Sequence, residues 1–343
     1  MAVELETFYN VFLNSTFAHK TVLYVVTLYM VFTKTPPRMR VFSMFLLNLM
    51  FWDLGTHFLW MGFHPFPLMP LLCFRLDGFI ASFYFTESLG HVFFIAFFVC
   101  IINVGTAISL SFQFRLFVIK HGNTMSKATK VYIVGYCIAS HVIPTGFFVG
   151  LYFTCLVTVD EYPETIAPGA RTRLFCYKPK APESSLFFLS VVLYLMLTGV
   201  IVMILVVLSF REVAKNLSII GERTAKMQKF FLRSLMILSG IPINIGGVPC
   251  IIMCFLFYFR ETPYARFIIV ICLLLASNYG PIVCIVTIVL FRPYRDSVVH
   301  IFKRPPWTTK EQWSHTPQCL ESDYSGNPYT DTTVVHSNSN LAK

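Results

Sequence analysis

Apolar residues along the chain gather into long blocks, separated by short breaks that are basic, acidic or marked by proline. A helix needs about 20 mostly apolar residues to cross a bilayer. On that criterion seven spans are expected, over residues 14–33, 41–63, 87–111, 131–157, 184–210, 230–259 and 267–290. The first is the most polar. Lys20 and Lys34 bracket a stretch that is short by itself, so the span is extended back to Asn14, with Lys20 snorkelling toward an interface. Residues 1–13 are read as the N-terminal segment. Pro65, Pro67 and Pro70 break the chain after the second span, and Pro144 predicts a kink in the fourth. The last span opens as Leu-Leu-Leu-Ala-Ser-Asn-Tyr-Gly-Pro and stops at Phe291-Arg292-Pro293-Tyr294-Arg295. Residues 292–304 carry Val298, Val299, Ile301 and Phe302 in a pattern suited to a short amphipathic helix. Residues 305–343 are rich in Ser, Thr, Asn and Asp without apolar periodicity and are expected to be disordered.

Composition agrees with the pattern. Of 343 residues, 56% are hydrophobic and only 13% charged, where a soluble domain carries roughly a quarter charged. The net charge of +10 would suggest nucleic acid in a soluble chain. Here the basic residues flank the apolar blocks, so membrane topology accounts for them and no nucleic-acid partner is expected. Six of the ten cysteines (Cys100, Cys137, Cys250, Cys254, Cys272 and Cys284) lie inside apolar blocks, where cysteine behaves as a small hydrophobe. No zinc-type cysteine spacing and no basic region ahead of a leading apolar run are present.

Orientation follows from Lys and Arg. One set of loops holds Lys34, Arg38 and Arg40, then Arg115 to Lys130, then Arg211 to Arg233, and the tail adds Arg292 and Arg295. On the other side the basic residues are diluted by Asp77, Asp160, Glu161, Glu164, Glu183 and Glu261. The positive-inside rule then predicts an all-α membrane protein, a seven-transmembrane helix bundle with its N-terminus outside and its C-terminus cytoplasmic. Asn14-Ser15-Thr16 is a glycosylation sequon on the outer side. No internal repeat is visible, which disfavours transporters built from duplicated halves.

Several short motifs in this order resemble nematode serpentine chemoreceptors of the Str-type superfamily, close to classes h and i. Lys34-Thr35-Pro36 with Met39-Arg40 and Leu46-Leu47-Asn48 is similar to their first cytoplasmic loop. Pro65-Phe66-Pro67-Leu68 through Pro70, with Gly78, is similar to their first outer loop. Gln228-Lys229-Phe230-Phe231 leading to Ile241-Pro242 and Pro249 is similar to their sixth helix, and Pro293-Tyr294-Arg295 to the end of their seventh. The resemblance implies a chemosensory G-protein-coupled receptor in the plasma membrane, the sensory cilium included. Its implied partners are a small-molecule odorant or pheromone, a heterotrimeric G protein and membrane lipid. The Asp-Arg-Tyr and Asn-Pro-x-x-Tyr signatures of rhodopsin-type receptors are missing, and Asn278-Tyr279-Gly280-Pro281 holds similar residue types in another arrangement.

Ionisable groups inside a membrane are costly and usually face the bundle interior. Asp53 and His57, one turn apart, and Glu87 and His91, with the same spacing, are therefore the residues to follow. His57, Glu87 and His91 are candidate ligand contacts. Asp53 is a candidate switch, together with Arg115, Pro242, Asn278 and Pro281. The plainer reading is that Asp53 and His57 satisfy each other and that Glu87 sits at the interface. Arg223, Lys226, Lys229, Pro293, Tyr294 and Arg295 are expected to face the G protein. Cys73 and Cys176 lie in outer loops, where a disulfide would tie the second loop to the third helix, with Cys155 as the competing partner. A channel or transporter is the alternative function, and a seven-helix hydrolase built on the Asp, Glu and two His a further one. No P-loop, nucleophile elbow or dinucleotide fingerprint occurs, so no enzyme activity, cofactor or metal is expected.

Overall fold

A computed structural model describes residues 2–36, 39–83, 86–121, 127–157, 162, 174–178, 182–215 and 222–303. Contacts divide the chain into two units, Met1–Val299 and His300–Lys343. The first carries every feature below. The expected tail, 305–343, lies outside the described residues.

Helices dominate: α1 (Ala2–Thr33), α2 (Arg40–Phe63), the short α3 (Phe79–Phe83), α4 (Glu87–His121), α5 (Lys127–Phe153) and α6 (Pro182–Lys215). Then come α7 (Glu222–Ile241), a π-helical segment (Pro242–Gly247), α8 (Val248–Tyr258), α9 (Ala265–Ala276), α10 (Tyr279–Leu290) and α11 (Arg292–Lys303). Among the described residues, five helical stretches are long and apolar enough to cross a membrane: Glu87–His121, Val131–Phe153, Pro182–Lys215, Thr224–Tyr258 and Ala265–Leu290. The rods α1 and α2 also have the length, but Lys20, Asn48, Asp53 and His57 lower their apolar character.

The rods differ in how they are used. The most apolar stretch of α4 is 67% buried, that of α5 only 6%. An all-apolar helix packs at the centre when its neighbours surround it, and α4 does so against α2, α5 and α6. On α5 and α6, Val131, Ile138, Ile143, Phe147, Leu189, Leu193 and Met203 are exposed, as a lipid-facing surface requires.

Several boundaries depart from the expected ones. The expected N-terminal segment over 1–13 is part of α1, which is helical from Ala2 because its first turns are held from the side. Tyr9 and Leu13 are fully buried, and Tyr9 donates to the Pro65 carbonyl at 3.2 Å while accepting from the Trp60 indole. Arg75 pairs with both Glu6 and Asp77, and Asn10 donates to Asp77. At its other end α4 runs on to His121, past the expected stop at 111, so Arg115 lies within a continuous helix.

A small sheet caps one end of the bundle, an addition to the all-helical expectation. Strands β1 (Pro65–Pro67), β2 (Cys73–Leu76) and β3 (Leu174–Cys176) pair antiparallel in the order β1-β2-β3. Pro65 and Pro67, which cannot donate to a ladder, sit on the edge strand. Cys73 lies opposite Cys176, and the two form a disulfide, leaving Cys155 as a free buried thiol. The chain can return onto the end of α2 because Gly78 has no side chain: a Cβ there would stand 2.6 Å from backbone carbons of Gly62 and Phe63. Below the sheet Phe74, Phe94, Phe175, Tyr177, Phe188 and Phe257 form a continuous aromatic layer.

His64 ends α2 in the left-handed region, at φ 42°. Its Nδ1 donates to Asn10 Oδ1 at 3.2 Å, and Nε2 is buried without a partner. Burial pulls the imidazole below its ordinary 6.5, and the Asp77 charge opposes that only in part. The neutral ring is thus the folded form, so its contribution is fully present above 6.5 and is lost as pH falls below it. Acidifying from about pH 7 to about pH 5 should lower the melting temperature of the purified protein, and His64→Gln should flatten that slope. Parallel slopes in the two proteins would remove His64 as the cause.

Candidate functional site: a polar layer, a cavity and a latch

The span Ala265–Leu290 is broken at Ser277–Asn278, between α9 and α10, and the sequence explains why. Pro281 has no N–H to give the Ser277 carbonyl four residues back. That carbonyl instead accepts from Lys20 Nζ of α1 at 3.2 Å, with Ser277 Oγ at 3.4 Å. Asn278 Nδ2 meets the Leu274 carbonyl at 2.7 Å. A lysine buried in α1 is therefore the cap of a helix C-terminus, where a cation is favoured.

One turn away lies Asp53. Its carboxylate accepts hydrogen bonds from Tyr24 of α1 and Tyr279 of α10, so a single side chain of α2 joins three helices. Tyr279 is also hydrogen-bonded to Thr56, and Thr56 to Cys100 of α4. Gly280 lies flat against this arrangement: a Cβ there would be 2.6 and 2.7 Å from the two carboxylate oxygens. His57 does not satisfy Asp53. Four residues on, it has turned toward α1, bonding Thr21 Oγ1 at 3.1 Å and stacking on Phe17.

A cavity of about 430 Å³ lies beside this layer, between α4, α6, the π-helical segment, α8 and Tyr279. Pro242 and Pro249 both lack a donor, and Gly246 and Gly247 lie between them. The backbone slips from α to π pairing there, with Val248 N–H bonded to the Ile243 carbonyl. Asn244 Nδ2 satisfies the Gly240 carbonyl at 2.7 Å. The π turn and Tyr279 are in close contact, since a Cβ on Gly246 would lie 3.1 Å from the Tyr279 ring. The wall of the cavity is thus tied to the Asp53 layer through Tyr279 and Thr56.

The three expected ligand contacts do not line this cavity. His91 bonds Tyr152 at 3.1 Å, Tyr152 bonds Tyr177 at 2.9 Å, and His91 Nε2 is buried without a partner. Glu87 accepts from Tyr162 at 2.7 Å beneath the sheet. Among the described residues no group of three His, Cys, Asp or Glu is placed to hold a metal. A second polar chain links α2, α4 and α5. Asn48 donates to His141 Nε2 at 3.2 Å, and His141 Nδ1 donates to Asn103, which also reaches Thr145 at 2.9 Å.

At the end of the bundle away from the sheet, Arg115 of α4 donates to the Gln228 side chain of α7 and to its carbonyl at 3.4 Å, and lies over the Phe231 ring. Lys226 is exposed and paired with Glu222, and the side chain of Arg223 lies outside the described residues. Arg295 is exposed and Pro293 half-buried, but Tyr294 corrects the expectation of a partner-facing ring. It is fully buried against Phe291 and bonds Thr35 at 2.8 Å. Asn14 is exposed but sits inside regular helix, with Thr16 Oγ1 donating back to the Phe12 carbonyl.

Tyr24, Tyr279, Gly280, Lys20 and Gln228 were absent from the sequence candidates. Pro281 was the available signal for Lys20, since a proline announces an orphan carbonyl. Nothing local announced Tyr24.

Apolar rods of membrane-crossing length, an apolar cavity between them and a polar layer linking the cavity wall to several rods define a multi-pass membrane protein. The chain belongs to the family of serpentine type 7TM GPCR chemoreceptors, Srh, which matches residues 4–304. That is a family of receptors, not of enzymes. No curated protein matches the chain.

Proposed function

We propose that this protein is a chemosensory receptor of the plasma membrane, which binds a small odorant or pheromone and activates a heterotrimeric G protein. Seven rods cross the bilayer, the sheet end faces outside, and the Arg115 end faces the cytoplasm. The observation that supports this reading best is the contact between the cavity wall and the Asp53 layer. A ligand that moves the π-helical segment must also move Tyr279, and with it the junction of α1, α2 and α10. The same rod continues through α7 to Gln228, which Arg115 holds. A ligand that favours a displaced α7 would release that latch and expose the inner ends of the helices. Lys226, Lys229, Pro293 and Arg295 are the surface offered there, and Arg223 is proposed to join them by its place in the sequence.

The test is nucleotide exchange in a heterologous cell carrying a chimeric G protein, challenged with a panel of small apolar odorants. A ligand that binds saturably yet drives no exchange on any G protein overturns the coupling. A second expectation concerns the latch. A hydrogen bond to a charged group contributes about 1.5–3 kcal/mol, enough to shift a two-state equilibrium about tenfold or more. Arg115→Met and Gln228→Leu should each raise ligand-independent exchange, and the double variant should add little to either. Basal exchange unchanged in both would show that Arg115 is only an anchor.

A further inference from the structure

We infer that the ligand is an uncharged, largely hydrocarbon molecule that reaches the cavity sideways from the bilayer, through the gap between α6 and the start of α8. The inference rests on the reading that the 430 Å³ cavity is the ligand site.

Three observations carry it. First, both ends of the cavity are closed. Toward the sheet stands the aromatic layer of Phe74, Phe94, Phe175 and Phe257, pinned from above by the Cys73–Cys176 disulfide. Toward the other end Ile108, Phe112, Val202, Leu232 and Leu235 pack as one cluster. Each end is thus packed with apolar side chains.

Second, one wall is shared with the outer surface. Met196, Val200, Met203 and Ile204 of α6 and Val248 of α8 line the cavity, yet each is 45–64% exposed. A residue that lines a cavity and is also exposed on a lipid-facing helix marks an opening. Gly199 lies between them, and a Cβ there would meet nothing within 4 Å.

Third, the lining selects against charge. Among the described residues, no Asp, Glu, Lys, Arg or His borders the cavity. Its hydroxyls are already engaged: Tyr279 with Asp53, Thr56 with the Trp52 carbonyl and Thr198 with Tyr194. A charged ligand would lose its hydration with nothing to replace it. A molecule that dissolves in the bilayer arrives already desolvated and concentrated beside the opening. The volume lies within the usual range of small-molecule sites, about 300–1,000 Å³.

The experiment uses the full chain in phospholipid nanodiscs and two photoprobes. One is a medium-chain alcohol carrying an alkyl diazirine, and the other is the same chain ending in a quaternary ammonium. Excess unmodified alcohol defines the saturable labelling, and mass spectrometry locates it. The alcohol should label the segments around Met203 and Val248 saturably, and the ammonium probe about tenfold less. Gly199→Trp and Met203→Trp, which block the gap from two positions, should each slow saturable labelling about tenfold. Gly105→Leu fills the cavity from inside, where a Cβ has ordinary 3.5 Å contact with Tyr194, and should abolish it. If the two tryptophan variants label as fast as the parent while Gly105→Leu does not label, the cavity is the site but the side entrance is wrong. If the ammonium probe labels equally, the ligand class is wrong. If the parent shows no saturable labelling, the cavity reading falls and this inference with it.

Discussion

Gly280→Ala should be among the most damaging single substitutions in this protein, although it adds only one methyl group. The new Cβ would enter the space of the Tyr24 hydroxyl and stand 2.6–2.7 Å from both Asp53 oxygens. All three groups are held by other helices, so none can yield as the end of a flexible chain would. Overpacking of this kind costs about 1–3 kcal/mol. The functional loss should exceed what that figure suggests, because the displaced groups join α1, α2 and α10 beside the cavity. Thermal unfolding in nanodiscs should show a lowered midpoint, and ligand-evoked nucleotide exchange should fall sharply. Gly150→Ala is the control, since a methyl group there meets nothing within 4 Å. Tyr24→Phe supplies the second arm. It removes the atom nearest the new Cβ, so the alanine should cost less in the Tyr24→Phe background than in the parent. Equal costs in both backgrounds would show that Gly280 is not packed on this group.

Cys73→Ser should be the other large effect. The bond closes a sequence separation of 103 residues, and removing a native disulfide typically costs about 2–5 kcal/mol. Here the bond fastens β3 to β2, and β2 is the strand through which Arg75 reaches Glu6 of α1. The aromatic layer over the cavity hangs from the same strands through Phe74 and Phe175. Losing the bond should therefore lower surface expression and the unfolding midpoint together, and Cys176→Ser should match it. The double variant should be no worse than either single one. A milder double variant would point instead to harm from the unpaired thiol. Cys155→Ser, at a free thiol bonded to the Glu183 carbonyl, should have a much smaller effect.

The membrane class and the approximate places of the helices were legible in the chain because they depend on composition in windows of about 20 residues. Local backbone devices were legible in part: α5 runs on as one helix through Pro144, where a kink was expected. Pro242, Pro249 and Pro281 remove donors wherever they occur, and the structure has its π turn and its helix break at those points. Asp53 was singled out because an acid in an apolar span needs partners. What could not be read was which partners. Tyr24 is separated from Tyr279 by most of the chain, and each looks locally like any apolar-span tyrosine. The plainer alternative, that Asp53 and His57 satisfy each other, failed for the same reason: spacing places two side chains on one face, but neighbouring helices decide what each meets. Glu87 and His91 were placed near the outer end of the third span, yet Tyr162 and Tyr152 occupy them.

Tyr294 shows the same limit at the opposite end. Its motif, flanked by basic residues, reads as surface. Only the fold reveals that the ring turns inward to Thr35, on a loop far away in sequence. The sequence by itself determined that this chain lives in a membrane, that its prolines remove backbone donors at known points, and that a few polar groups in apolar spans need partners. Tertiary structure alone decided where the cavity lies, which tyrosines hold Asp53, and that Lys20 is a helix cap. The physical reason is that hydrophobicity and missing donors are properties of single residues and short windows, whereas a hydrogen-bond partner or a void is a property of several helices at once.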